Sequence, residues 1–140
     1  NCDLPVILHT RNAIDLVLKY LRRYRVKGGI AHAFNGSNQQ AHQFIDLGFK
    51  LGFGGAMTYP RAKHIQRLAK ELPIESIVLE TDAPDMPPFW LEKTQQNQPK
   101  ELEKIGTFLA QIRGLDPHKM ARMISKNTFE ALPMLGKLCT

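Results

Sequence analysis

The sequence predicts an α/β fold with a parallel sheet built from four strand–helix units. Four short apolar runs of strand length recur along the 140 residues, helical spacing of apolar positions follows each of them, and a last helix closes the chain. Strands that alternate with helices in this way form right-handed βαβ units and therefore a parallel sheet. Two architectures meet this pattern, an open doubly wound sheet and an arc of a (β/α)₈ barrel. A full barrel needs about 250 residues, so four units correspond to half of one.

The first two units each join a short strand to an amphipathic helix. The run LPVILHT at 4–10 predicts the first strand, and the apolar spacing that follows predicts a helix over 12–25. The run GGIAHAF at 28–34 predicts the second strand, whose helix is expected over 38–47 and stops at Gly48. The tetrapeptide FNGS between them predicts a turn and a helix N-cap at its serine or at the asparagine that follows.

The last two units follow the same pattern, with one long interruption. The run FKLGFGG at 49–55 predicts the third strand and precedes a helix expected over 61–72. The run ESIVLETD at 75–82 predicts the fourth strand, and a proline-rich loop separates it from a helix expected over 100–113. The final helix is predicted to begin after Asp116 as its N-cap.

Composition places the chain among ordinary globular proteins. It is 43% hydrophobic and 23% charged, and no apolar run approaches the roughly 18 residues of a membrane span. We therefore expect one domain over 1–140 and no membrane partner. The net charge of +6 is compatible with a polyanionic partner, although the basic stretch KYLRRYRVK fits a solvated helix face better. Cys2 and Cys139 are expected to be free thiols in a reducing compartment, the cytoplasm.

Polar side chains follow three of the four predicted strands where the strands end. Residues two apart share a face of a strand. This periodicity pairs His9 with Arg11, His32 with Phe34, and Glu80 with Asp82. Because the carboxyl ends of parallel strands meet at one edge, where α/β proteins bind their ligands, these groups are expected to lie close together.

Two histidines and a pair of carboxylates form a mixed nitrogen and oxygen ligand set. Such a set suits zinc, manganese or a similar divalent cation. A cation would also compensate the free energy that burial of Glu80 and Asp82 costs. One histidine at a strand end is more often structural, and ETD alone is compatible with a salt-bridged turn. The coincidence at three strand ends favours a metal site.

Four ordered motifs resemble those of one family. PVILHTR, GIAHAFNGS, DLGFKLGFGG and IVLETDAP, with NQP at 97–99 and SKNTFEAL at 125–132, are similar to motifs of TatD-type metal-dependent hydrolases, many of which are deoxyribonucleases. The resemblance covers essentially the whole chain. It implies a (β/α)₈ TIM barrel of the metal-dependent hydrolase type, of which this chain resembles the C-terminal half, strands 5 to 8 with their helices.

The resemblance also implies roles for the residues at the strand ends. His9 and His32 match ligands of one metal, whereas Asp82 matches a carboxylate that binds the other metal and takes the proton of the attacking water. Glu80 matches a second catalytic acidic residue of the site. Arg11 is a candidate for binding a substrate phosphate, and an ion pair with a neighbouring loop is the alternative. The implied cofactor is one or two divalent metal ions, among which Zn, Mg and Mn are not distinguished.

The sequence departs from the family pattern in its ligands. The family carries a His-x-His pair on its first strand and a bridging glutamate on a middle strand, and this sequence contains neither. We therefore expect the 140-residue chain alone to bind metal weakly and to hydrolyse DNA or another phosphodiester little or not at all. The alternative is a non-catalytic half-barrel that binds a partner, including a second copy through its open sheet edges. A flavodoxin-like phosphate binder is disfavoured because no glycine-rich loop follows the first strand.

Overall fold

Four parallel strands form one sheet in the order in which they occur along the chain. The computed structural model describes residues 4–92 and 94–138. Its strands are β1 (Val6–His9), β2 (Gly29–His32), β3 (Phe49–Phe53) and β4 (Ile77–Leu79). A doubly wound sheet reverses its strand order at a switch point, whereas a barrel keeps the order of the sequence. The observed order is that of a barrel arc, so the predicted α/β fold is confirmed. Cys2 and Cys139 lie outside the described residues.

Each predicted helix is present, with ends close to the predicted ones. The helices are α1 (Ile14–Arg23), α2 (Asn38–Asp46), α3 (Lys63–Glu71), α4 (Leu102–Arg113), α5 (Pro117–Ala131) and the short α6 (Leu135–Leu138). Three 3₁₀ turns accompany them, at Gly55–Thr58, Ile74–Ser76 and Pro99–Glu101. Within the part of the chain that the structure describes, no helix is both long enough and apolar enough to cross a bilayer.

Side-chain caps fix the starts of two helices. The Ser37 hydroxyl accepts from the Gln40 amide at 3.1 Å, and the Gln40 side chain accepts from the Ser37 amide at 2.8 Å, which is a capping box. Asp116 caps α5 through the Lys119 amide at 2.8 Å. The Asp116 cap was predicted, and Ser37 was one of the two residues predicted to cap α2, because a capping side chain needs only residues within one turn.

The main core lies between one face of the sheet and helices α1 to α5, and α5 contributes Met120 and Ile124 to it. Phe44 of α2 sits at its centre and meets the rings of Phe34 and Phe49 edge-on, at centroid distances of 5.9 and 5.8 Å. The opposite face of the sheet carries a small second cluster, formed by Ile30, Val78 and Ala131. That face is covered near β4 and open near β1, where Ile7 is 62% exposed.

Polar contacts anchor the end of helix α5 at the amino ends of β3 and β4, where its Ala131 packs against the second face. The Asn127 side-chain amide donates to the carbonyl oxygens of Ile74 and Ile77, both at 2.7 Å. The Lys50 ammonium donates to Glu130 Oε2 at 2.8 Å. These contacts give the SKNTFEAL motif a structural role. They also leave the opposite, carboxyl ends of the strands uncovered.

Candidate active site

A cleft of about 480 Å³ opens at the carboxyl edge of the sheet. Its lining includes all five residues that the sequence singled out, which are His9, Arg11, His32, Glu80 and Asp82. The strand ends bring them together as the parallel topology requires.

His32 lines the cleft and lies between two carboxylates. Its Nδ1 is 2.8 Å from Glu80 Oε2, and its Nε2 is 2.5 Å from Asp82 Oδ1. His32 is the last residue of β2, whereas Glu80 follows β4 directly, so β3 lies between them. A carboxylate on each ring nitrogen favours the doubly protonated imidazolium, in which both nitrogens donate.

Two backbone features bring the Glu80 carboxylate to His32. The Ala33 amide donates to Glu80 Oε1, which holds one oxygen beside the end of β2. Gly52 of β3 lies under the carboxylate, and a Cβ at that position would stand 2.0 Å from Glu80 Oε2. Only glycine leaves room for the Glu80 side chain to cross β3.

The pKa values of both groups are shifted upward. Burial raises the pKa of Glu80, since it penalises the charged carboxylate, and the Ala33 amide and His32 only partly oppose this. Burial lowers the pKa of His32, but the charges and hydrogen bonds of Glu80 and Asp82 outweigh it, so the His32 pKa is raised. The cluster therefore retains protons that the separated groups would lose.

Ala33 explains why one prediction about this edge was wrong. Phe34 was expected to share a face with His32, yet it is 2% exposed and packs in the main core against Phe44. Ala33 has a φ of +48°, in the left-handed region, so the alternation of a strand ends at His32. Side chains alternate between the two faces of the sheet within β2, and this alternation fails one residue beyond the strand.

His9 and Arg11 complete the cleft from β1 and the loop that follows it. The His9 ring lies 5.5 Å from the His32 ring, centroid to centroid, at an interplanar angle of 32°. Arg11 is exposed on the same cleft. Among the described residues no carboxylate lies within ion-pair distance of Arg11. The ion pair considered as an alternative for Arg11 is therefore not formed with them.

The predicted metal ligands fit a divalent cation in type, but form only part of a shell. His9, His32 and Asp82 offer two imidazoles and a carboxylate, which zinc or manganese accepts. Asp82 is instead bonded directly to His32. Across residues 4–92 and 94–138, no group of three His, Cys, Asp or Glu side chains is arranged to hold a metal. A cation between His32 and Asp82 would replace their hydrogen bond.

Sequence reasoning gave no role to Asn97, which holds the loop that carries Asp82. Asn97 is 3% exposed, and its Nδ2 donates to the Asp85 carbonyl at 2.6 Å and to Thr81 Oγ1 at 3.3 Å. Nearby, Trp90 Nε1 donates to the buried carboxylate of Glu101 at 2.7 Å. The NQP motif was the available signal, but its partners lie more than ten residues away and cannot be identified from sequence.

The fold and the cleft define a class of protein. A parallel sheet in sequence order, covered by helices on one face and carrying a polar cleft at its carboxyl edge, is an arc of a TIM barrel with the cleft where barrel enzymes bind their substrates. The profile of the family described as TatD related DNase matches residues 1–133. The chain belongs to this family.

Individual relatives agree with this assignment. The uncharacterized metal-dependent hydrolase YjjV of Escherichia coli K12 is 40% identical over 128 residues, which are 91% of this chain and 49% of YjjV. An uncharacterized metal-dependent hydrolase of Haemophilus influenzae is 39% identical over 129 residues, 91% of this chain and 47% of that protein. The crystal structure of YjjV superposes with a TM-score of 0.87, over 94% of this chain and 51% of that one.

A more distant structure shows the fold alone. A TatD family hydrolase from Entamoeba histolytica superposes with a TM-score of 0.75 at 17% identity, over 91% of this chain and 50% of that one. The chain thus spans about half the length of the curated relatives it matches. That the matched half is C-terminal, and that 1–140 forms one domain, stay predictions.

Proposed function

We propose that this chain supplies part of the active site of a metal-dependent hydrolase that cleaves phosphodiester bonds, with DNA as the foremost substrate. The observation that carries the proposal is the placement of His32 between Glu80 and Asp82, with His9 and Arg11 on the same cleft. The description of the family and the names of the relatives support it.

In this proposal Glu80 acts on His32 and Asp82 acts on water. Glu80 accepts a hydrogen bond from His32 Nδ1–H. This bond fixes the tautomer in which the lone pair of Nε2 can bind a cation together with His9. Asp82, released from His32, orients the attacking water and accepts its proton. A divalent cation held by His9 and His32 would lower the pKa of a bound water towards about 7 and would offset negative charge on the phosphate.

Arg11 is proposed to bind the substrate phosphate. It is exposed on the cleft without a carboxylate partner among the described residues, so its guanidinium is available to two phosphate oxygens. Lysine would be a weaker substitute, because it acts as a point charge and lacks the planar fork.

The proposal is tested with a hybrid protein. The segment of YjjV that this chain matches is replaced by the 140-residue chain, and hydrolysis of bis-p-nitrophenyl phosphate is measured with Zn²⁺, Mg²⁺ or Mn²⁺ and with EDTA. We expect metal-dependent hydrolysis by the hybrid and little or none by the chain alone. A folded hybrid that is inactive with all three metals contradicts the proposed function. Turnover by the chain alone contradicts the incompleteness of its site.

One observation favours the second candidate, a non-catalytic half-barrel that binds a partner such as a second copy. Leu4, Ile7 of β1 and Leu16 of α1 are each more than half exposed, and β1 is an open edge of the sheet. Sedimentation velocity distinguishes the two. A stable dimer of the chain that dissociates in Ile7→Lys, without metal-dependent hydrolysis by the hybrid, supports this candidate.

A further inference from the structure

A second cavity of about 350 Å³ adjoins the cleft, a volume at the lower end of the range for small-ligand sites. Its lining consists of Ala56, Tyr59, Arg61, Ala62, Met86 and Pro87. Ala56 and Met86 also line the cleft that contains His32 and Asp82. The two cavities are therefore neighbours along the mouth of the barrel arc, with these two side chains as their common wall.

The ring of Tyr59 lines the second cavity and, with Phe89 packed against it at an interplanar angle of 75°, forms an aromatic platform. The Tyr59 hydroxyl donates to the Pro87 carbonyl at 3.0 Å, and its ring meets the Phe89 ring edge-on at 5.7 Å. The Phe89 amide donates to Thr58 Oγ1 at 2.8 Å, which fixes the backbone beneath the ring. The platform is held in place before any ligand arrives.

Two of the apolar side chains around this cavity are exposed to solvent. Phe89 is 56% exposed and Met86 is 45% exposed. Met86 has a φ of +46°, an unfavourable conformation for a residue with a side chain, and such strain concentrates at ligand sites. A rigid, exposed apolar surface beside a polar cleft is a ligand-binding feature rather than core packing.

The positive charge of two arginines near the cavity indicates which class of ligand it binds. Arg61 is exposed at the rim of the second cavity, and Arg11 is exposed on the cleft. An apolar peptide or acyl chain would use the aromatic platform but would leave both cations without a partner. A nucleotide chain offers a flat base for the aromatic rings and a phosphate for each arginine.

We propose that the second cavity binds the nucleotide next to the scissile phosphate, with its base stacked on Tyr59 and its phosphate on Arg61. This inference rests on the proposed function for the identity of the group in the cleft. The substrate is then a single strand of at least two nucleotides, because a base within a duplex is stacked and does not reach the platform.

The test measures binding without turnover. The 140-residue chain in EDTA is titrated with labelled tetrathymidylate, and unlabelled pT and pTpT compete for it in a fluorescence-anisotropy assay. We expect pTpT to bind about fivefold or more tightly than pT, and Tyr59→Ala to abolish that preference. Tyr59→Phe keeps the ring and should retain it. Arg61→Gln should reduce the slope of log K against log salt by about 0.7, whereas Arg67→Gln, which removes an exposed cation on helix α3 outside the lining of the cavity, should not.

The outcomes separate this inference from the proposed function. Equal affinity for pT and pTpT, or unchanged preference in Tyr59→Ala and unchanged salt slope in Arg61→Gln, overturns the nucleotide site. Hydrolysis of bis-p-nitrophenyl phosphate by the hybrid does not depend on the second cavity, since that substrate has no nucleobase. If the binding preference holds while the hybrid is inactive, the nucleotide site stands and the hydrolase proposal is wrong.

Discussion

The carboxylate of Glu80 reaches His32 across Gly52, a residue of the strand that separates them. A Cβ on Gly52 would stand 2.0 Å from Glu80 Oε2 and 2.6 Å from Oε1, closer than any real contact. Gly52 belongs to the run FKLGFGG, from which the third strand was predicted. The structure gives Gly52 a specific reason, which is that the contact between Glu80 Oε2 and His32 Nδ1, 2.8 Å long, needs an empty side-chain position beneath it.

Gly52→Ala should therefore displace Glu80 and release His32. We expect a loss of about 1 to 3 kcal/mol in the free energy of unfolding, as for overpacked interiors, measured by urea denaturation. The His32 ring should also lose its Nδ1 hydrogen bond, visible in ¹⁵N chemical shifts. Gly136→Ala is the matched control, because a Cβ there meets nothing within 4 Å. Equal stability of the two variants would contradict the crowding at Gly52.

Stability should fall as pH rises in the absence of metal. The raised pKa of His32 contributes stability that is fully present below its unfolded value of 6.5 and is lost as pH rises through the folded value. The raised pKa of Glu80 acts in the same direction above 4.5, because the folded state again holds more protons. Glu80→Gln removes one titrating group and lowers the His32 pKa, so the decline should become shallower. The decline is measured as the free energy of unfolding, obtained by denaturant titration in EDTA at a series of pH values.

A histidine outside the cluster provides the control for this pH dependence. His118 is exposed on α5, and His118→Gln should leave the slope of stability against pH unchanged. If the slope of stability against pH is unchanged in Glu80→Gln, or is lost in His118→Gln, the cluster of His32, Glu80 and Asp82 is not its source.

Asn97→Ala should loosen the loop that carries Asp82. The substitution removes the donor to the Asp85 carbonyl and to Thr81 Oγ1, and the loss of each hydrogen bond costs about 0.5 to 1.5 kcal/mol. Trp90, the single tryptophan, packs in the same loop and reports on it through fluorescence. Its emission should shift to longer wavelength in Asn97→Ala and remain unchanged in Gln96→Ala, an exposed neighbour. Faster hydrogen exchange of the Asp85 amide in Asn97→Ala would also indicate a loosened loop.

Local patterns were enough to predict the elements of the fold and the place of the site. Helix spacing, the Asp116 cap and the alternation of short apolar runs each depend on residues close in sequence. Parallel strands bring their carboxyl ends to one edge whatever their exact register. For that reason His9, His32 and Asp82 were predicted to be neighbours without knowledge of any distance.

Long-range geometry accounts for what the sequence did not predict. The turn of Phe34 into the core depends on the left-handed Ala33, and alanine carries no local signal for that conformation. The Asn97 contacts join residues 12 and 16 positions apart. The direct hydrogen bond between His32 and Asp82 depends on where the loop after β4 places Asp82 relative to the end of β2.

The role proposed for Asp82 is tested by Asp82→Asn in the hybrid with YjjV. Asparagine keeps the shape and a bond to His32 Nε2 but cannot accept the proton of the attacking water, so turnover should fall by about 10² or more while thermal unfolding changes little. Asp85→Asn, on the exposed part of the same loop, should keep the activity of the parent hybrid. Because Asp82 touches His32 at 2.5 Å, its substitution should also lower the His32 pKa in the metal-free chain. If the Asp82→Asn hybrid turned over nearly as fast as the parent hybrid, another group of the cleft would have to accept the proton of the attacking water.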